Sequence, residues 1–170
     1  MMDAIKNRRS VRKYKENPVT KGQVETLLGA AMHAPSACNS RPWRFLVITN
    51  REVLDKLADA HKFAKMLRKA PTAIVICALA QEQEQNKIAS GFYPQDCAAA
   101  TQNILLAAQG MGLATCWCGV YPKEQLMPVI GEILGLSEDE IPFNIIAVGY
   151  ADEEPGAKGF YDGEKVRWIT

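Results

Sequence analysis

Thr72-Ala73-Ile74-Val75-Ile76-Cys77-Ala78-Leu79 is a continuous apolar run rich in β-branched residues and preceded by Pro71. It does not alternate with polar residues, so it reads as a strand covered on both faces. On its N-terminal side, Arg44-Phe-Leu-Val-Ile-Thr49 reads as a second buried strand. Between the two strands, Asn50 caps a helix over Arg51 to Ala60 with Val53, Leu54, Leu57 and Ala58 inward, and a short helical piece spans Phe63 to Lys69.

On the other side, Gln81 to Lys87 is polar and reads as an exposed connection, and Pro94 to Met111 forms the longest helix, bracketed at its end by Gly110 and Gly112. Leu113 to Gly119 reads as a strand. Pro122 starts a helix that Pro128 interrupts before Val129 to Leu134, and Asn144 to Tyr150 is the last clear strand.

Further upstream, Thr20-Lys-Gly-Gln23 is a capping box for a helix that carries Val24, Leu27, Leu28 and Ala31 to about Ala34, where Pro35 stops it. Ala151 to Gly163 is an arm of Asp, Glu, Gly and Pro. Glu164 to Thr170 alternates as a final extended strand with Lys165 and Arg167 on one face. Helices interspersed with four or five strands imply an α+β fold, with helices covering a mixed, mostly antiparallel sheet and a single domain over residues 1–170.

The chain has 170 residues, 48% of them hydrophobic, enough to build a sizeable core. Its formal net charge of +1 argues against a general binder of nucleic acid or of membrane surfaces. Met1 to Lys6 lacks the apolar core of a signal peptide and no apolar run spans a bilayer, which points to a cytoplasmic protein. The five cysteines are expected as reduced thiols, and Cys116-Trp117-Cys118 lacks a second Cys/His pair for a metal site.

Against that neutral background, Lys6-Asn-Arg-Arg-Ser-Val-Arg-Lys-Tyr-Lys15 concentrates positive charge. If the segment is extended, Arg8, Ser10 and Arg12 share one side, and Arg9, Val11 and Lys13 the other. Two guanidinium forks around a hydroxyl suit a phosphate, while a solvated charged face is the plainer reading of the same run. Neither a G-x-G-x-x-G turn nor a P-loop is present, and His33 and His61 sit in no catalytic constellation. A chain without its own acid, base or nucleophile, yet with anion-binding side chains near both termini, is suited to a cofactor that brings the chemistry.

Three motifs together resemble the nitroreductase family of flavin mononucleotide (FMN) enzymes in its short form. They are Arg8-Arg9-Ser10-Val11-Arg12, the loop Pro35-Ser36-Ala37-Cys38-Asn39-Ser40-Arg41-Pro42-Trp43, and Gln109 to Gly119, with Gly149-Tyr150 and the basic tail in keeping. The resemblance implies the nitroreductase-like fold and a homodimer with FMN at the subunit interface. It implies that Arg8 and Ser10 contact the phosphate and ribityl end, with Arg9 beside them, and that Arg12 approaches the N1–C2=O edge of the ring. Lys165 and Arg167 resemble the family's terminal phosphate-binding pair.

Pro35, Ser36, Ala37, Asn39 and Arg41 resemble the loop that crosses to the partner's flavin, with Arg41 where many relatives carry Gln. Cys116, Trp117, Cys118 and Gly119 resemble the stretch whose backbone runs beside the isoalloxazine, and Gly119 permits close approach. The activity implied is ping-pong hydride transfer from NADH or NADPH through FMN to a nitroaromatic, quinone or similar acceptor, and no side chain is nominated as catalyst. Phe92, Tyr93, Phe160, Tyr161 and Trp168 are expected over a dimer surface or substrate pocket. The competing classes are a flavin-binding sensor or store without turnover, and a small nucleic-acid module using Lys6 to Lys15.

Overall fold

The computed structural model describes residues 2–156, 159 and 161–170, with the side chain of residue 82 left aside. Its centre is an antiparallel sheet of strands β1 (Trp43–Ile48), β2 (Thr72–Leu79), β3 (Ala114–Gly119) and β4 (Glu140–Gly149), in the order β1-β2-β4-β3. The helices are α1 (Met2–Asn7), α2 (Lys21–Met32), α3 (Arg51–Ala60), α4 (Ala80–Glu84), α5 (Tyr93–Gly110) and α6 (Met127–Leu134). Short 3₁₀ turns lie at Ala37–Asn39, Lys65–Arg68 and Gly163–Lys165.

Every residue of β2 is buried, and the pleat explains why no polar residue interrupts it. Ala73, Val75 and Cys77 pack with Leu54 and Leu57 of α3, Leu67, and Ile130 of α6, whereas Ile74, Ile76 and Ala78 pack with Leu27 of α2 and Ile104 of α5. β4 divides in the same way, Ile145 and Ala147 to the first layer and Ile146 and Val148 to the second. Each such Ile or Leu removed from water contributes about 1.5–3 kcal/mol, so the two central strands are the best-secured part of the molecule.

Local signals hold where they are specific. Thr20 and Gln23 form the expected capping box, the Gln23 N–H donating to Thr20 Oγ1 at 3.3 Å and the Thr20 N–H to Gln23 Oε1 at 2.9 Å. Asn50 Oδ1 accepts the Glu52 and Val53 N–H groups at 2.9 and 3.2 Å.

Three expectations need correction. Pro128 sits in the first turn of α6 rather than interrupting a helix begun at Pro122, because its missing N–H has no intrahelical partner to lose there. Gln81 to Lys87 is not simply exposed, since α4 begins within β2's exit and carries Gln83 fully into the interior. Glu164 to Thr170 forms no strand; beyond the turn at Gly163–Lys165 its residues lie exposed, and an extended segment without a neighbour has no ladder for its backbone groups.

Candidate functional site

The basic N-terminal segment leaves α1 and crosses the free edge of β3. Ser10 pairs with Thr115 in a parallel bridge, and the Val11 N–H donates to Thr115 O at 3.0 Å. Tyr14 pairs with Ala151, and the Lys15 N–H donates to Tyr150 O at 2.9 Å. Val11 and Tyr14 are buried in the first core layer, so two apolar anchors three positions apart fix the cations between and before them. Burial pushes the Tyr14 phenol far above the ordinary tyrosine range, so it stays a neutral donor, its hydroxyl 3.4 Å from Ala147 O.

Arg8, Arg9, Ser10 and Arg12 line a hollow of about 460 Å³ together with Pro155 and Gly156. Arg9 is not turned away as strict alternation expects: its guanidinium donates to Lys6 O and Arg8 O at 2.7 Å each, and its Nε donates to Gly156 O at 2.9 Å. Arg9 therefore ties the two sides of the hollow together, while Arg8, the Ser10 hydroxyl and Arg12 remain available to a ligand. Glu153 Oε1 accepts the Arg12 and Lys13 N–H groups at 2.5 and 3.1 Å, which positions Arg12 from behind. Those bonds, Arg12's first, hold the Glu153 carboxyl below its usual range. A lining with guanidinium groups, a hydroxyl and no carboxylate fits a phosphate.

Beyond Arg12 the hollow adjoins a cleft of about 980 Å³ whose lining includes Cys116 and Trp117. Antiparallel pairing of β3 with β4 leaves every second residue's backbone pointing outward. Thr115 O is taken by Val11 and Gly119 O by the ring of His61 at 2.9 Å. Trp117 lies between them, so its N–H and C=O face the cleft, an edge that suits the polar rim of a flat heterocycle. A side chain at Gly119 would meet nothing within 4 Å, so the glycine keeps that space open. These features fit a flavin whose phosphate lies by Arg8 and Ser10 and whose ring lies along Trp117.

Cys116 and Cys118 share one face of β3, both buried. The Cys118 S–H bond to Cys116, followed by the Arg12 and Arg8 charges, outweighs burial and lowers the Cys116 thiol, while the same bond and burial raise Cys118. Cys77 and Cys97 are pushed up by burial to about 12 and are inert. In flavin-free protein the ultraviolet thiolate band of Cys116 is expected to grow in below the ordinary thiol value of 9.0 and to move up in Arg12→Ala. Because the folded-state value is the lower one, the associated stability is complete above pH 9.0 and fades as pH falls through the folded-state value.

The second motif lies elsewhere. Cys38, Asn39 and Arg41 have φ of +50°, +54° and +51°, a left-handed conformation that non-glycine residues rarely adopt. Polar bonds impose it: the Arg41 N–H donates to Ser36 Oγ at 2.9 Å, Arg41 Nε to Asn39 Oδ1 at 3.0 Å and the Ala37 N–H to Asp96 Oδ1 at 3.1 Å. Gln83 Nε2 donates to Ser40 Oγ at 3.0 Å and to Asp96 Oδ2 at 2.7 Å, leaving Gln83 Oε1 buried without a partner. Asp96 and Gln83 escape a sequence reading, since an acid in a first helical turn and a polar linker look generic. Asp96→Asn places one amide against another and is expected to cost about 1 kcal/mol, read by thermal unfolding and by faster proteolysis between residues 35 and 42.

This loop enters β1 at Trp43, opposite Ala78 and Ile141, whereas Ser10 meets Thr115 beside Val148 and Thr72. Three strand spacings and seven residues of rise separate Trp43 from Thr115 by roughly 27 Å, and Ser10 lies one spacing further out. A single chain therefore unites Arg8, Arg9, Ser10, Arg12, Cys116 and Trp117 around adjoining cavities but leaves Pro35, Ser36, Ala37, Asn39 and Arg41 far from them. Lys165 and Arg167 line neither cavity, and Lys165 pairs with Asp162 at 3.3 Å.

His33 bonds Gly29 O and caps its own helix end. His61 is buried with Nε2 donating to Gly119 O and Nδ1 accepting the Phe63 N–H, so both nitrogens serve the backbone. Among the aromatic residues, Tyr93 packs edge-on against Tyr121, Tyr161 and Trp168 stand 78% and 81% exposed, and Phe160 lies outside the described residues. No helix among the described residues is long and apolar enough to cross a membrane.

A family model described as the Nitroreductase family matches residues 5–63 and 60–150. A protein of Methanothermobacter thermautotrophicus, provisionally named an NADH dehydrogenase/NAD(P)H nitroreductase, is 42% identical over 98% of this chain and 85% of its own length. The crystal structure of a provisionally named NADH dehydrogenase/NAD(P)H nitroreductase from Parabacteroides distasonis superposes with a TM-score of 0.93 at 37% identity, covering 99% of this chain and 97% of the other. An FMN-dependent nitroreductase of Clostridium difficile superposes at 0.88 with 32% identity over 100% and 99% of the two chains.

Proposed function

Because this chain belongs to the nitroreductase family, we propose that it is an FMN-dependent oxidoreductase carrying hydride from NADH or NADPH to a nitroaromatic, quinone or similar acceptor in a ping-pong cycle. The observation that carries this reading is the continuity, through Arg12, of a carboxylate-free guanidinium hollow with a cleft bordered by an open strand edge. When bound, FMN would accept a hydride at its ring and hand it on. Arg8 and the Ser10 hydroxyl would hold its phosphate, with Arg9 fixing the wall behind them. Arg12 would place a cation beside the ring edge that becomes electron-rich on reduction. The Trp117 N–H would orient the ring, and Cys118 and Gly119 continue that edge.

The site is proposed to be completed by a second copy, in a homodimer. The distance of Ser36, Ala37, Asn39 and Arg41 from their own Arg12 supports this, as does an exposed tail carrying Trp168 at 81% and Ile169 at 89% exposure. In that arrangement Pro35 and the residues after it reach the partner's ring, and Lys165 and Arg167 gain an anion to bind. The whole chain then acts as one FMN-binding unit, and five free cysteines suit a cytoplasmic setting.

The test is the visible spectrum of purified protein, followed by anaerobic addition of NADH and of NADPH, with size-exclusion chromatography and light scattering alongside. A yellow dimer bleached by either donor and recoloured by a quinone is expected. A colourless preparation that takes up no added FMN refutes the cofactor, and a monomer that holds flavin refutes the shared site.

A further inference from the structure

The cleft lining also holds residues that take no part in the proposed flavin site. Phe63 stands 63% exposed, yet its backbone is fixed. Its N–H donates to His61 Nδ1 at 3.1 Å, its carbonyl lies 3.4 Å from Cys118 Sγ, and the His61 ring meets its ring edge-on at 6.3 Å. A large apolar ring held this firmly in water gains little for the fold, and it presents a face on which a flat ligand can stack.

The charges around it are equally particular. The ammonium groups of Lys62 and Lys123 stand 5.6 and 5.4 Å from the Phe63 centroid. The cleft lining holds six cationic side chains against two carboxylates, in a chain whose net charge is +1. One of those carboxylates, Glu16, already pairs with Lys69 at 3.6 Å, and the Lys65 ammonium donates to Ala58 O at 2.8 Å. Lys13, Lys15, Lys62 and Lys123 enter none of the ion pairs found among the described residues. Ammonium groups gathered over an exposed ring repel one another, and an anion attached to a stacked ring relieves that repulsion.

We infer that Phe63, Lys62 and Lys123 form a recognition subsite for a planar ring bearing an anionic group, so that the acceptor this protein is built for is an aromatic carboxylate, sulfonate or phosphate rather than a neutral ring. The inference rests on the proposed function, which puts the flavin ring along the Trp117 backbone in the same cleft. Stacking on Phe63 supplies the plane, and the two ammonium groups supply the charge selection.

The experiment compares 4-nitrobenzoate with 4-nitrobenzyl alcohol as acceptors of the FMN-loaded protein at low and high salt. It also measures calorimetric binding of naphthalene-2-sulfonate, a redox-inert probe, to the loaded and the flavin-free protein. Expected is at least a tenfold higher kcat/KM for the nitrobenzoate at low salt, with the ratio falling toward one at high salt. The Lys62→Gln/Lys123→Gln double variant should lower that ratio and weaken naphthalenesulfonate binding by about tenfold each, and Phe63→Ala should weaken the binding further.

Equal kcat/KM for the two acceptors overturns the proposal, as does a ratio indifferent to the lysine pair. An effect of the lysine pair confined to NADPH over NADH also overturns it, because the anion read would then be the donor's phosphate. Naphthalenesulfonate binding by a colourless protein supports the subsite while the redox reading fails; turnover without charge preference keeps the redox reading and removes the subsite.

Discussion

Arg8→Ala/Arg12→Ala is expected to fold, dimerise and emerge from purification colourless, with FMN affinity reduced by about a thousandfold. Hydrogen bonds to a charged group contribute about 1.5–3 kcal/mol each net of water. Two such losses give about 3–6 kcal/mol, and every 1.4 kcal/mol is tenfold in Kd. Folding survives because the anchors of this segment are Val11 and Tyr14 in the core, while Arg8 is half-buried, Arg12 is exposed and neither enters an ion pair among the described residues. Arg9→Ala offers the contrast, since it removes three bonds to backbone carbonyls and opens the clasp on Gly156. Its main effect should be a lower Tm, with a smaller loss of flavin. Fluorescence quenching of added FMN reads the affinity and circular dichroism reads the fold; tight FMN binding by the double variant would discard the phosphate site.

How much of this was visible in the chain depends on how local each signal is. Thr72 to Leu79 declares itself because both of its neighbouring layers demand apolar residues, and Thr20 with Gln23 declares itself because a capping box is a four-residue event. Pro128 misleads, since a proline that opens a helix and one that breaks a helix look alike until the start of the helix is known. Gln83 misleads for another reason: its burial depends on Asp96 and Ser40, partners thirteen and forty-three residues away.

At the site, the cationic segment was legible as chemistry, but its alternation was not, because Arg9 bends back to its own backbone. The segment around Ser36 and Asn39 was recognisable by resemblance alone, and its distance from Arg12 emerges only when strand order is known. Lys62 and Phe63 carry no pattern at all. Their meaning comes from His61 and Cys118, which fix the ring beside a cleft whose other cations come from Arg12, Lys13 and Lys15, about fifty positions earlier in the chain, and from Lys65 and Lys69 close by.

Gly149→Val is expected to lower Tm by several degrees and, at temperatures where the variant remains folded, to weaken FMN binding as well. A Cβ at this position would lie 2.7 Å from Pro71 Cδ and 2.8 Å from Tyr14 Cδ1, distances that real Cβ atoms essentially never show. Pro71 leads directly into the fully buried β2 and has little room to yield. Tyr14 is the softer neighbour, although its ring is buried and its hydroxyl reaches Ala147 O. Overpacking of this kind costs about 1–3 kcal/mol, or about 2–4 °C per kcal/mol for a chain of this size.

The same displacement travels to function by a short route. Tyr14 is one of the two core anchors of the N-terminal segment, and Lys15 bonds the carbonyl of Tyr150, next to the substituted position. Pushing Tyr14 outward moves the stretch that contains Arg12 and its Glu153 support, so charge and ring edge lose their register. A Tyr14→Phe control keeps the ring and removes only the hydroxyl, and should leave FMN affinity near that of the parent. If Gly149→Val instead loses stability while holding FMN as tightly as the parent, then the anchor at Tyr14 does not set the position of Arg12, and the path from core packing to the flavin site is broken at that step.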